Sequence, residues 1–290
     1  MSADFIPTLP VALTAEQAGA MAQRLVKKHH VAIVLLHWFN ALVWLMELAT
    51  GAALIVSPNY RFMPQWYLTM MEEAFGTRAN LLRFHLAVGL TWICVFTVYA
   101  IFGYRNYLHV EVLKKEIGLD QDDFRWLKIR TLLLLGRTTE PLPGQGAYNA
   151  GQKMFALLVY TAVPGIMITG LIMTFHLGGA FLVAWAMVLH FLAVGMVVSG
   201  LMIHVYMGAV FPEERPAFYS MITGMVNELY AYRHHFKWWR ELKMEQRSWE
   251  QELETESHAE EVASRDVTVA SAPDLPQPKS DELEVAKGTP

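Results

Sequence analysis

The chain has 290 residues; 54% are hydrophobic, only 17% are charged, and the formal net charge is −4. A water-soluble chain carries about a quarter charged residues, so the composition excludes an ordinary soluble enzyme, and nothing in it calls for a nucleic-acid partner. The one cysteine, Cys94, excludes a disulfide framework, a thiolate zinc site or an iron–sulfur cluster held by this chain.

In chain order, the Met-Ser-Ala-Asp start lacks the basic region of a secretory signal peptide. Thr14 and Gln17 have the spacing of a capping box, which predicts a short helix within an N-terminal segment, residues 1–30. Four stretches are then long and apolar enough to span a bilayer: Val31–Val56, Leu86–Phe102, Phe155–Phe175 and Phe181–Val210. Flanking apolar residues extend the last three to 84–104, 152–176 and 181–211. The fold class expected is all-α, an integral membrane four-helix bundle.

Lys and Arg cluster before span one (Arg24, Lys27, Lys28), between spans two and three, and after span four (Arg233, Lys237, Arg240). The first outer loop, Ser57–Arg83, has only Arg61, Arg78 and Arg83, and the loop between spans three and four has none. By the positive-inside rule both termini are expected in the cytoplasm.

Span one carries His37 near its cytoplasmic start and Glu47 near its middle. A carboxylate at that depth is costly, so Glu47 is expected to be protonated or paired, either bonded between helices or serving as a proton relay. Span two carries His85 at its outer start, with Gly89 one turn on. Next, Asp123–Leu135 mixes basic and large apolar residues and reads as a helix lying in the interface. It could roof or simply anchor the following loop, where Pro141, Pro143, Gly144 and Gly146 break regular structure. Asn149 can then N-cap span three, leaving first-turn N–H groups free for an acceptor.

Span four carries His190 and His204, fourteen residues apart. That separates them by roughly 21 Å along a helix and by nearly whole turns, so both leave one face. Depth pairs His85 with His190 on the outer side and His37 with His204 on the cytoplasmic side. Two such pairs are what two bis-histidine b haems require. Gly195 and Gly200 between the span-four ligands, and Gly89, would let a flat macrocycle approach. His176, at the outer end of span three, is an alternative to His85. The doublets His29-His30 and His234-His235 read as solvated or headgroup-facing. Residues 31–245 make the cytochrome domain, and 246–290 an acidic tail, disordered from about Gln251. The rival reading from another class is a transporter or channel centred on Glu47; a membrane metal enzyme of the desaturase type has only the two histidine doublets to offer.

Several motifs resemble the formate dehydrogenase cytochrome b (gamma) subunit family. They are Tyr148-Asn149-Ala150-Gly151-Gln152-Lys153-Met154, the pattern His190-x13-His204-Val205-Tyr206-Met207, and Met221-Ile222-Thr223-Gly224 followed by His234-His235 and Trp238-Trp239-Arg240-Glu241. The resemblance covers about residues 24–245. It implies two haem b groups on the four histidines paired above, in a multi-pass protein of the bacterial inner membrane. It also implies a site for quinone (menaquinone or ubiquinone) beside the cytoplasmic haem, using Asn149, Gly151 and Gln152 and bordered by His204. The implied partners lie on the outer face: an iron–sulfur subunit, fed by a molybdenum or tungsten catalytic subunit that holds the formate site. Electrons would enter outside and reduce quinone near the cytoplasm, with protons taken from that side. Related cytochromes serve hydrogenases and thiosulfate reductases. The chain departs from the family pattern in its long first outer loop, in Glu47 and in its acidic tail.

Overall fold

In this computed structural model, residues 10–103 and 115–270 are described, with side chains described as far as residue 258. The capping box forms as its spacing predicts. Thr14 Oγ accepts from Gln17 N, Gln17 Oε1 accepts from Thr14 N, and α1 follows over Ala15–Gln23.

Among the described residues, four helices are long and apolar enough to span a bilayer: α2 (Val31–Leu54), α4 (Arg78–Gly103), α6 (Ala150–Phe175) and α7 (Gly179–Val205). Each exceeds the ~20 residues that cross the hydrocarbon layer. Large apolar side chains such as Phe181, Met187, Leu192 and Ile203 face outward from α7, which suits lipid rather than water. The spans form two hairpins, α2 packed on α4 and α6 on α7. The second closes through His176, in the left-handed conformation at φ 54°, and through Gly178 and Gly179 at φ 74° and 81°.

Span two begins earlier than its apolar core suggests, at Arg78, which puts His85 two turns inside the helix. The first outer loop contains a helix the sequence pattern did not reveal, α3 (Gln65–Phe75), packed against α2 and α4 through Leu68 beside Ala53 and Leu81. Helix α5 (Gln121–Leu134) occupies the segment expected to lie in the interface and packs on α6.

Beyond α7 the chain makes a π turn (Tyr206–Val210), a 3₁₀ turn (Pro212–Glu214) and α8 (Arg215–Thr223), then α9 (Glu228–His234) and α10 (Phe236–Ala270). Two short strands qualify the all-α description: β1 (Leu25–Lys27) pairs antiparallel with β2 (Met225–Asn227), Val26 opposite Val226. Around that pair Met21, Val226, Tyr230, Tyr232, Phe236 and Trp239 form a core outside the spans, joining the N-terminal segment to the residues after span four.

The described residues from Glu241 to Ala270 belong to a second compact unit. Within the segment from Gln251 expected to be disordered, the described residues continue α10 as far as Ala270. The reason is local: the segment carries Glu and Ala, which are strong helix formers, and has no proline before Pro273. The rest of the tail lies outside the described residues.

Candidate functional site

His85 and His190, the pair expected on the outer side, are held in the same way by the two hairpins. His190 on α7 places Nδ1 at 3.1 Å from the Ile166 carbonyl and 3.0 Å from Thr169 Oγ. A carbonyl only accepts, so Nδ1 carries the hydrogen. The Thr169 hydroxyl gives its own hydrogen to Gly165 O at 2.6 Å. On the other hairpin His85 Nδ1 lies 2.9 Å from Thr50 Oγ, whose hydrogen goes to Met46 O at 2.7 Å. Both imidazoles therefore point an Nδ1–H at their own hairpin and keep the Nε2 lone pair for a metal.

A glycine follows each threonine and lies against the ring. A Cβ on Gly51 would lie 3.2 Å from His85 Cε1, and one on Gly170 would lie 3.6 Å from His190 Cε1. The signal was present in the sequence as a Thr-Gly dipeptide repeated in spans one and three, Thr50-Gly51 and Thr169-Gly170. The threonines are partners that reasoning from histidines alone missed.

Glu47 joins this group. Its Oε2 lies 2.9 Å from His85 Nδ1, while Oε1 is buried without a hydrogen-bond partner. Gly89 faces this carboxylate at ordinary contact distance, 3.8 Å from a built Cβ.

Toward the other end of span four, His204 stacks on Phe155 with ring centroids 4.8 Å apart. His37 has a buried Nδ1 without a hydrogen-bond partner among the described residues, and Trp38 stands edge-on to its ring. The structure brings His85 within electrostatic reach of His190, and His37 within reach of His204. His176 is exposed at the helix end and joins neither pair. Gly200 does not serve a flat group: a Cβ there would come 2.7 Å from Leu158 Cδ2 and 2.9 Å from Phe155 Cδ2, so it permits close packing of α6 on α7. Gly195 faces open space.

The segment entering α6 is tightly specified. Asn149 is the N-cap: its Oδ1 accepts from Gln152 N, and Gln152 Oε1 accepts from Asn149 N, both at 2.9 Å. Ala150 N donates to Gln145 Oε1 at 2.7 Å. The expectation of free first-turn N–H groups is thus corrected at two positions, because side chains of the same segment reach them first. The side-chain amide nitrogens of Asn149 and Gln152 are the donors that the cap does not use. Gly151 packs beside Trp126 of α5, 3.8 Å from a built Cβ. A buried ion pair, Lys153 Nζ to Asp123 Oδ2 at 2.8 Å, fastens α5 to the first turn of α6.

Behind this segment lies a buried polar network absent from the sequence reading, which had His29, His234 and His235 solvated. His29 is only 7% exposed and His235 fully buried. His235 donates from Nδ1 to Gly146 O at 2.7 Å and accepts at Nε2 from Lys28 at 3.0 Å. Burial and the Lys28 charge lower the His235 pKa to about 3, and burial lowers Lys28 to about 8 against the pull of Glu214. Burial works against the Glu214 carboxylate, but hydrogen bonds from His234 and Tyr230 outweigh it and hold the group at about 2. His29, facing Tyr148 at 6.4 Å between ring centroids, is lowered to about 4 by burial and by nearby Lys28 and His37.

Residues 28–224 match the family model of prokaryotic cytochrome b561. The chain belongs to that family. Among its relatives, the formate dehydrogenase cytochrome b556 subunit of Haemophilus influenzae is 23% identical over 218 residues, covering 74% of this chain and 82% of the relative. Two Escherichia coli K12 proteins, the cytochrome b556(Fdn) subunit of the nitrate-inducible formate dehydrogenase and the formate dehydrogenase cytochrome b556(fdo) subunit, are each 24% identical. They cover 71% of this chain and 87% and 88% of the relatives. The resemblance read from the motifs therefore holds. A member of the cytochrome b561 family with four spanning helices is a multi-pass protein of the bacterial inner membrane, and the family implies haem b. The donors present fit that group. His85 and His190 have their Nδ1–H groups committed and a glycine beside Cε1, and among the described residues neither Nε2 takes a hydrogen bond; His37 and His204 each have an aromatic ring beside them.

Proposed function

We propose that this cytochrome b561-family protein is the membrane cytochrome b subunit of a formate dehydrogenase-type complex, carrying two b haems and reducing quinone near the cytoplasmic side. The observation that carries the reading is the twin construction on the two hairpins, Thr50-Gly51 on His85 and Thr169-Gly170 on His190. One structural hydrogen bond to a histidine needs no such repetition. Two rings presented alike from opposite hairpins are rings that would hold one haem iron between them.

In this reading Nε2 of His85 and of His190 hold the outer haem, and His37 and His204 hold the inner one. Haem b supplies single-electron carriage, which lets a membrane chain hand electrons from an outer donor to a quinone. Thr50 and Thr169 fix each outer ring's tautomer and rotation. The amide nitrogens of Asn149 and Gln152 would donate to a quinone oxygen beside His204, with Gly151 leaving room for approach. The basic flanks support cytoplasmic termini, so protons for the quinone would come from that side. The relatives are named as subunits of formate dehydrogenases, which supports a place in such a complex; the partners in this reading are an outer iron–sulfur subunit and a molybdenum or tungsten catalytic subunit. Family membership favours this reading over a transporter centred on Glu47.

Pyridine haemochrome quantification on the purified protein tests it. Two haem b per chain are expected, and one in His204→Ala. A His204→Ala variant that keeps both haems would overturn the ligand assignment.

A further inference from the structure

The two hairpins differ at one position, and the difference bears on the outer pair of histidines. Glu47 stands three residues before Thr50, and Ile166 three residues before Thr169. In the second hairpin the acceptor supplied from that position is the Ile166 backbone carbonyl, 3.1 Å from His190 Nδ1. In the first it is a side-chain carboxylate oxygen, Glu47 Oε2, 2.9 Å from His85 Nδ1. The Thr50 hydroxyl hydrogen is already given to Met46 O, so Thr50 can only accept. Thr50 Oγ and Glu47 Oε2 thus both stand 2.9 Å from His85 Nδ1, a neutral oxygen and a carboxylate beside one N–H. On the cytoplasmic side His37 Nδ1 has no hydrogen-bond partner among the described residues, and His204 lies against the Phe155 ring.

An imidazole whose Nδ1–H leans on a carboxylate donates more electron density through Nε2 than one bonded to a carbonyl, and more again than one left unbonded. A more donating ligand set stabilises the ferric state and lowers the potential. We propose that Glu47 is a positioning residue for His85 that makes the outer haem the lower-potential member of the pair. Electron transfer from the outer face toward the quinone side then runs downhill. The inference rests on the two-haem reading above. It also accounts for a carboxylate at a depth where one is costly: its oxygen has a specific partner in His85.

The test is a spectroscopic redox titration of the intact purified protein beside its Glu47→Gln variant. Glutamine keeps a neutral oxygen for Nδ1–H and removes the carboxylate. The midpoint of one haem should move to a more positive value and the other should stay, with haem content unchanged and the low-temperature EPR signal of the shifted haem altered. Two unmoved midpoints with both haems present would overturn the role of Glu47 and leave the two-haem reading standing. Fewer than two haems in the unaltered protein would sink that reading instead. If Glu47→Gln loses the outer haem, Thr50→Val decides. Without the neutral acceptor the Nδ1 hydrogen leans wholly on Glu47, so the same midpoint should move to a more negative value; a positive shift or none overturns the proposal.

Discussion

Lys28 Nζ meets His235 Nε2 at 3.0 Å across 207 residues of sequence, joining the segment that leads into span one to the residue between α9 and α10. The other nitrogen of His235 holds the Gly146 carbonyl, so one imidazole ties three distant parts of the chain together. Lys28 also stands over the rings of Tyr230 and Trp238, 5.8 and 5.6 Å from their centroids. The two partners should not respond alike to removal. His235→Ala strands a buried ammonium and a carbonyl, and each unsatisfied group costs about 1–3 kcal/mol. Lys28→Met strands one ring nitrogen but also removes a charge that burial disfavours, as its lowered pKa shows. Thermal unfolding in detergent should show a clearly larger drop for His235→Ala than for Lys28→Met.

Acid should weaken the same region. His235 takes a proton near 6.5 when unfolded, but in the folded protein burial and Lys28 lower it to about 3. Between those values the unfolded chain binds more protons, so stability is full above pH 6.5 and is lost as pH falls toward 3. Glu214 acts in the same direction: its folded value of about 2 lies below the unfolded 4.5, so its contribution disappears between pH 4.5 and 2. The melting temperature should fall steadily from pH 6.5 downward. His235→Gln should remove its share of the slope between pH 6.5 and about 3, leaving the shares of His29 down to about 4 and of Glu214 between 4.5 and 2.

What could be read from the sequence followed the range of the forces involved. Spans show as runs of apolar residues because lipid demands about twenty in a row. The caps at Thr14 and Asn149 are local too, since each needs only a side chain three residues away. The histidine depths followed from the spans. By contrast, the burial of His29 and His235 depends on β1 pairing with β2, and nothing within either segment announces a partner two hundred residues off. Charge composition alone made those flanks look solvated. The Thr-Gly dipeptides were visible but mute until the hairpins set each one beside a ring.

The unequal glycines of the outer pair give a paired test of ring placement. A methyl on Gly51 would come within 3.2 Å of His85 Cε1, tighter than van der Waals contact, whereas on Gly170 it would sit at 3.6 Å from His190 Cε1, an ordinary distance. Gly51→Ala must therefore push the His85 ring by a few tenths of an ångström, or α2 away from α4. Gly170→Ala need move nothing. Reduced haem content or an altered EPR signal is expected in Gly51→Ala, with Gly170→Ala close to the unaltered protein. Equal effects, or the reverse order, would show that these rings are not held as described.

The Lys153–Asp123 pair governs how α5 sits over the entrance to α6. Both side chains are nearly inaccessible, Lys153 Nζ also donates to Gly118 O at 3.1 Å, and Asp123 Oδ2 accepts from Asp120 N at 2.9 Å. Removing one member of a buried pair leaves an uncompensated charge and costs about 3–5 kcal/mol, whereas replacing both with apolar residues can cost little. Asp123→Asn keeps an oxygen for the Asp120 cap and strands the Lys153 charge, so α5 should loosen from α6 first. Trp126 then no longer presses on Gly151, and the proposed quinone site loses its wall. A quinone-analogue inhibitor should bind more weakly to Asp123→Asn while the haem spectrum stays unchanged, because the pair lies outside both histidine groups. The double variant Asp123→Leu with Lys153→Met should recover most of the lost melting temperature. Inhibitor binding that survives Asp123→Asn intact would place the quinone away from this segment.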